Sequence, residues 1–295
     1  MDRHPIIENK PLSYGTWETV LKHVDLETRQ KIHRQIPSCR SINSRIPFIL
    51  DTVHFESSKI LRINKTTWIL EWMPEEKLFN EYFKNGTRIR TLIFDSLPKF
   101  LSQKNPENFQ LYVRELRLSQ NSINSVSLEK LQLHLRDNIP LKKCTIVVYR
   151  RNEPILESPL IQTCSELCLK FYGDIVPSEV QLQGIKNMHL TVECERSGRV
   201  VITDIVMIWK SVRRPLGSTL TIPVNNAYNV WEAIDYMNPF FGGNRTILRA
   251  NGYVQRFRRN AFVNTEIVLC EIEVMDEDGA IRPALKASVE QRPMD

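Results

Sequence analysis

Apolar positions early in the chain follow a helical period that caps and prolines interrupt. Trp17, Val20, Leu21 and Val24 fall at i, i+3, i+4 and i+7, the spacing of one helical face. Ser13 or Thr16 can cap the start, so the pattern predicts a helix from about Tyr14 to Val24. Asp25 can cap a second helix in which Leu26, Arg29, Ile32 and Ile36 recur at helical spacing, and Pro37 lacks the amide needed to continue it. Ser38 stands where a cap is expected for a third short helix carrying Ile42 and Ile46, which Pro47 ends. Helices this short bury too little apolar surface to stand alone, so they should pack on the rest of the chain or on another protein.

Further along, the period changes. Val113, Leu116, Leu118 and Asn121 match the spacing L-x-x-L-x-L-x-x-N, in which alternating residues form a short strand facing a core. Related spacings recur at Ile89-Leu92-Phe94-Leu97, Lys143-Ile146-Val148, Cys164-Leu167-Leu169, Ile185-Met188-Leu190 and Gly217-Leu220-Ile222-Asn225. Helix-compatible stretches lie between them, Ser127 to Arg136 with Leu128, Leu131 and Leu135 on one face, and Thr203 to Ser211 after Thr203 or Asp204 as cap. Strand and helix alternate, which predicts a mixed α/β fold. The expected form is a short helical motif, then a curved, mostly parallel sheet with helices resembling a degenerate leucine-rich repeat, then an antiparallel hairpin. An ordinary α/β domain with similar strands is the other reading.

Two segments depart from the repeat. Lys59 to Glu71 carries two apolar runs around Asn64-Lys65-Thr66 and reads as a hairpin after a strand at Phe48 to Phe55. Near the end, Val268, Cys270, Ile272 and Val274 alternate with Glu271 and Glu273, and Asp278-Gly279 supplies a turn before Ala280 to Val289. Pro283 places that second strand at an edge, where a missing amide is tolerated, and the hairpin could close the end of the sheet.

Composition narrows the function classes. The 295 residues, 42% hydrophobic and 25% charged, suit a folded protein with one large domain or two smaller ones. No window reaches the length of a membrane span, Asp204 interrupting the best run, and Met1 to Lys10 lacks a signal pattern. Six scattered cysteines suit reduced thiols. The expectation is an intracellular protein, cytoplasmic or nuclear, with no membrane partner. The net charge of +6 draws attention to Arg256, Phe257, Arg258 and Arg259, with Arg213 and Arg214 as a second basic pair. An aromatic between arginines can stack a base while they hold phosphates. A solvated strand or loop face is the first reading of such a cluster, and nucleic acid ranks below it.

The sequence has no phosphate-cradling glycine loop, nucleophile elbow or zinc-protease helix. Cys164 and Cys168 could share a strand face, but four ligands are needed to close a structural zinc site. Asp276, Glu277 and Asp278 sit at a predicted hairpin tip, where solubilising the turn is the first reading. No catalytic, cofactor or metal residue is assigned.

The order Pro11, Leu12, then Val20, Leu21, Val24, Leu26 and Ile32 resembles the F-box. Pro11-Leu12-Ser13-Tyr14 and Ile36-Pro37-Ser38-Cys39-Arg40 look like an expanded nematode group of F-box-like proteins, as do Ile208-Trp209-Lys210 and Arg214-Pro215-Leu216-Gly217-Ser218. The resemblance implies a non-enzymatic adaptor that docks a Skp-type adaptor of a cullin ubiquitin ligase, while the C-terminal region chooses a protein substrate. The docking residues would be Leu12, Trp17, Val20, Leu21, Val24, Leu26, Ile32 and Ile36. A scaffold whose helices only cap the fold is the alternative. The expected divisions are a tail over 1–10, the F-box-like motif over 11–47, the repeat-like region over 48–225, and a helix with a hairpin cap over 226–295.

Overall fold

The computed structural model of the chain describes residues 12–71, 82–83, 86–95, 109–119, 125–135, 141–150, 154–241, 246–249, 252–258, 265–276 and 278–291. Three helices open it: α1 (Tyr14–His23), α2 (Leu26–Gln35) and α3 (Arg40–Arg45). The Ser13 side chain accepts the Thr16 amide at the start of α1, and the Asp25 side chain accepts that of Thr28 at the start of α2. Ser38 is not the cap expected of it: it lies inside a 3-10 turn, Pro37–Cys39, that leads directly into α3 without a side-chain cap. Proline fixes φ near the helical value and lacks an amide that would be unpaired there anyway, so the turn starts the helix by itself.

Leu21, Ile42 and Ile46 form a small core of their own, with Trp17 and Ile32 packed against it. The unit joins the body through Leu26, which belongs to the main core, and through Arg29. The Arg29 guanidinium is buried, donates to the carbonyls of Asn43, Ile46 and Pro47 and to Oδ1 of Asn43, and lies over the Phe48 ring. It thereby satisfies carbonyls left open at the end of α3. Burial lowers its pKa to about 10, which still leaves it charged at neutral pH.

Among the described residues, thirteen strands make one sheet: β1 (Ile49–Phe55), β2 (Ile60–Ile63), β3 (Thr66–Ile69), β4 (Arg88–Phe94), β5 (Tyr112–Leu118), β6 (Lys143–Val148), β7 (Glu166–Phe171), β8 (His189–Cys194), β9 (Thr219–Pro223), β10 (Thr246–Arg249), β11 (Gly252–Arg258), β12 (Thr265–Met275) and β13 (Ile281–Gln291). Their order is β10-β11-β12-β13-β9-β8-β7-β6-β5-β4-β1-β2-β3. From β1 through β4 to β9 the neighbours are parallel, and antiparallel strands extend the sheet at both ends. Helices α4 (Ser125–His134), α5 (Pro159–Gln162), α6 (Glu179–Gly184), α7 (Arg199–Ser211) and α8 (Ala227–Met237) complete the mixed α/β fold. Helix α7 starts at Arg199 after Gly198, ahead of the expected Thr203 cap, because its buried stripe already includes Ile202 and Thr203. Helix α4 runs two residues N-terminal to its expected span, and Arg136 lies outside the described residues.

Register explains the repeat. Val53, Leu92, Leu116, Cys144, Leu167, Leu190 and Leu220 stand side by side across seven strands, none more than 1% exposed. The next row on that face runs from Phe55 and Phe94 through Leu118, Ile146, Leu169 and Val192. Both rows pack on the helices in one core that extends from Leu26 to Val289. Three residues before the first row come buried Leu50, Ile89, Val113, Leu141, Cys164 and Asn187, the leading position of L-x-x-L-x-L. Two expected repeat frames are thereby corrected. Lys143 pairs in register with Glu115 and Glu166 on the other face, so that repeat leads with Leu141. The repeat of β8 leads with Asn187, whose amide donates to the carbonyls of Ile161 and Cys164 at 2.8 and 2.7 Å. Leu97 and Asn121 lie outside the described residues.

Alternate strand residues form a second, polar face, where Glu115, Lys143, Glu166, His189 and Thr219 align. Cys168 belongs to this face, 3.6 Å from Oε1 of Glu193, whereas Cys164 is in the main core. The two thiols therefore do not share a face.

The two expected hairpins form, β2–β3 and β12–β13. The second does not close the sheet, because β11 and β10 lie beyond it. Nor is β13 an edge strand: it sits between β12 and β9. Pro283 is tolerated because the ladder with β9 ends at the Ala284–Pro223 pair, and its carbonyl accepts the Val224 amide just past that end. The alternation expected of β12 is present, and the face that meets the main core is the one carrying Glu271 and Glu273. Ile267 and Leu269 join the main core, while Val268, Cys270, Ile272 and Val274 align with Ser288, Lys286, Ala284 and Arg282 of β13 on the polar face.

Candidate docking site

The eight expected docking residues are not equivalent. Leu21 holds the small core of the helical unit and Leu26 the main core, so both are structural. Trp17, Val20, Val24, Ile32 and Ile36 are half-buried, and Leu12 is exposed. The unit is fastened along α2, where Gln30 donates to the Tyr82 hydroxyl beside the Arg29 cluster. Helix α1 contacts α3 and turns Tyr14 outward.

Where α1 meets α2, Lys22 to Leu26 form one wall of a cleft of about 900 Å³. Its floor is the beginning of β1, β4 and β5, together with Lys142 just before β6. Val24 and Leu26, two of the expected docking residues, thus meet strand starts that lie far away in sequence. Asn64 lines the far side in a left-handed conformation, φ 52°, that asparagine tolerates. Its Oδ1 accepts the amides of Asp51 and Thr52 at 2.9 and 3.1 Å.

The basic residues of the cleft's floor, Arg88, Arg90, Arg114 and Lys142, belong to no motif. A signal for three of them exists in the sequence: Arg90, Arg114 and Lys142 each stand two residues before the first core row, as Asp51 does on β1. Aligning the repeats by their core positions turns scattered cations into a column.

At the opposite ends of the strands lies a polar chain. His54 Nε2 is 2.9 Å from Oδ2 of Asp95, the Ser119 hydroxyl is bonded to Oδ1 of Asp95, and the Tyr149 hydroxyl donates to the Ser119 carbonyl at 2.8 Å. Burial raises the Tyr149 pKa, with Tyr172 and Asp95 adding to the shift. The order of His54, Asp95 and Ser119 is not that of a nucleophilic triad, which needs the imidazole between hydroxyl and carboxylate. Here the carboxylate stands between the other two, and the chain ties together the ends of β1, β4, β5 and β6.

The remaining candidates are also placed. Arg256, Phe257 and Arg258 lie in β11 opposite Val268, Ile267 and Glu266, and Arg259 lies outside the described residues. Arg214 is not part of a basic surface. It is buried, donates to the carbonyls of Leu182 and Ile185 at the end of α6, and lies 5.9 Å from the Trp209 ring centre. At the β12–β13 tip, Oδ1 of Asp276 accepts the amides of Asp278 and Ala280, which is turn chemistry. Among the described residues, no three His, Cys, Asp or Glu side chains converge as a metal site, and no helix is long and apolar enough to cross a membrane.

No curated protein matches the sequence. A family model does: residues 75–226 match the "Domain of unknown function (DUF3557)". The matched span contains the parallel strands β4 to β9 with α4 to α7 and ends at Asn226, the cap of α8. It thus covers the repeat from β4 onward, and the chain belongs to the DUF3557 family.

Proposed function

We propose that the protein is a non-enzymatic interaction adaptor whose helices α1 to α3 dock a Skp-type adaptor of a cullin ubiquitin ligase, leaving the repeat sheet to recognise a protein substrate. The observation that supports this reading is the separate small core of the helical unit. A segment with its own core, attached mainly along α2, leaves apolar positions on α1 and at the unit's ends within reach of a partner, Leu12 and Val20 among them. Six free thiols fit a reducing compartment, and the reading places the protein in the cytoplasm or nucleus.

Co-purification of the full chain with a recombinant Skp-type adaptor tests the proposal. Leu12→Glu with Val20→Glu should abolish recovery without changing the circular dichroism spectrum or the melting temperature, since neither residue belongs to a buried core. Failure of the wild-type chain to associate would remove the ligase reading. The burial of Leu21 and Leu26 favours a second reading in that case, a scaffold whose helices only cover the start of β1.

A further inference from the structure

We propose that the cleft between the α1–α2 corner and the starts of β1, β4 and β5 binds an extended acidic peptide segment; as the substrate segment of an adaptor this rests on the preceding reading, while the binding itself does not. Two adjacent columns of the sheet build the floor. Ile49, Arg88 and Tyr112 are in direct register on β1, β4 and β5. Beside them run Asp51, Arg90, Arg114 and Lys142, joined by the Asp51–Arg90 pair at 3.2 Å and by the bond from the Lys142 amide to the Arg114 carbonyl at 2.9 Å. Neighbouring strands are about 5 Å apart, so the line from β1 to Lys142 spans about 15 Å, the length of roughly four extended residues.

Charge selects the occupant. Among the described residues the lining holds five cationic side chains, Lys22, Arg88, Arg90, Arg114 and Lys142, against the two carboxylates of Asp25 and Asp51. Both carboxylates are engaged, Asp25 as the cap of α2 and Asp51 with Arg90. The lining's existing pairs, Lys22 with Glu18 and Lys142 with Glu166, are between partly exposed side chains, and such pairs exchange readily for a new carboxylate. Ile49, 60% exposed, offers an apolar anchor between the charges. A peptide fits this mixture better than a nucleic acid does. A nucleic acid carries a charge at every nucleotide and would set phosphates against Asp25 and Asp51, whereas a peptide can place uncharged residues there, and the aromatic in the lining, Tyr112, already has Arg88 over its ring at 5.7 Å.

Fluorescence anisotropy on the purified full chain provides the test. The probes are a labelled peptide of roughly ten residues alternating Glu with Leu, the same peptide with every Glu replaced by Gln, and a labelled RNA of similar length. The acidic peptide should bind, about tenfold or more tightly than the Gln peptide, and more weakly as salt rises. Arg88→Glu with Arg114→Glu should weaken it by at least about tenfold while leaving the melting temperature unchanged, because both side chains are exposed. Absence of binding, equal binding of the Gln peptide, equal or tighter binding of RNA, or indifference to the double reversal would each overturn the proposal. The Gln comparison needs no variant, so a folding defect cannot obscure the result. A chain that binds the acidic peptide but no Skp-type adaptor loses only the ligase reading, and the reverse result removes only the cleft's role.

Discussion

The Arg29 guanidinium lies 4.0 Å from the centre of the Phe48 ring, and its edge faces the carbonyls that end α3. One side chain of α2 therefore closes α3 and pins the helical unit to the start of β1. Arg214 repeats the device at the other end of the repeat, closing α6 with its guanidinium beside Trp209. Arg29→Ala would leave several buried carbonyls without a donor, and we expect a loss of roughly 3 kcal/mol. Arg29→Lys should recover little of it, since an ammonium cannot fork across carbonyls or lie flat on a ring. Urea unfolding measures both variants. Wild-type stability in Arg29→Lys would show that charge alone, and not the planar fork, holds the unit.

A second prediction concerns the polar residue inside the repeat. Asn187 is buried where other repeats place Leu50, Ile89, Val113, Leu141 or Cys164. Its Nδ2 donates to two carbonyls of the preceding repeat, so it fastens β8 to the turn before β7. Removing those donors in Asn187→Ala should cost about 2 kcal/mol. Asn187→Asp should be worse, because a carboxylate oxygen then faces carbonyl oxygens in a buried site. The midpoints of urea unfolding give the order, and an Asp variant more stable than the Ala variant would contradict it.

The parts of the fold legible in the sequence are those set by local chemistry. Ser13 and Asp25 cap helices where expected because each needs only an amide three residues on. The repeat is legible wherever its core positions are apolar, as at Val113, Leu116 and Leu118. It is misframed at Lys143 and Asn187, where a polar-face lysine stands beside the pattern and a buried asparagine occupies it. Arg29 is visible as a cation on the apolar stripe of α2, between Leu26 and Ile32, but its partners depend on how α2 crosses α3. The cleft is harder still to read: the cations of its floor come from three separate repeats, and strand register brings them together. Pro283 misleads for a related reason, since an interior strand tolerates proline where a neighbouring ladder has ended.

A third prediction follows from the cap of α2. Asp25 accepts the Thr28 amide at 2.8 Å and the Thr28 hydroxyl at 3.0 Å, and these bonds hold its pKa below the ordinary value of 3.8. The amide contributes most and the hydroxyl next, while slight desolvation opposes them. Because the folded value is the lower one, the stabilisation is fully present above the unfolded carboxylate pKa and is lost as pH falls through the folded value. Asparagine can also cap a helix but does not titrate. Asp25→Asn should therefore differ most from wild type in melting temperature near pH 7, with the gap closing toward about pH 3. Asp25→Ala, which keeps no cap, should melt below both wild type and Asp25→Asn at neutral pH. Melting curves recorded by circular dichroism across that range decide the matter, and a gap between wild type and Asp25→Asn that stays constant down to about pH 3 would show that the carboxylate's charge adds nothing to the cap.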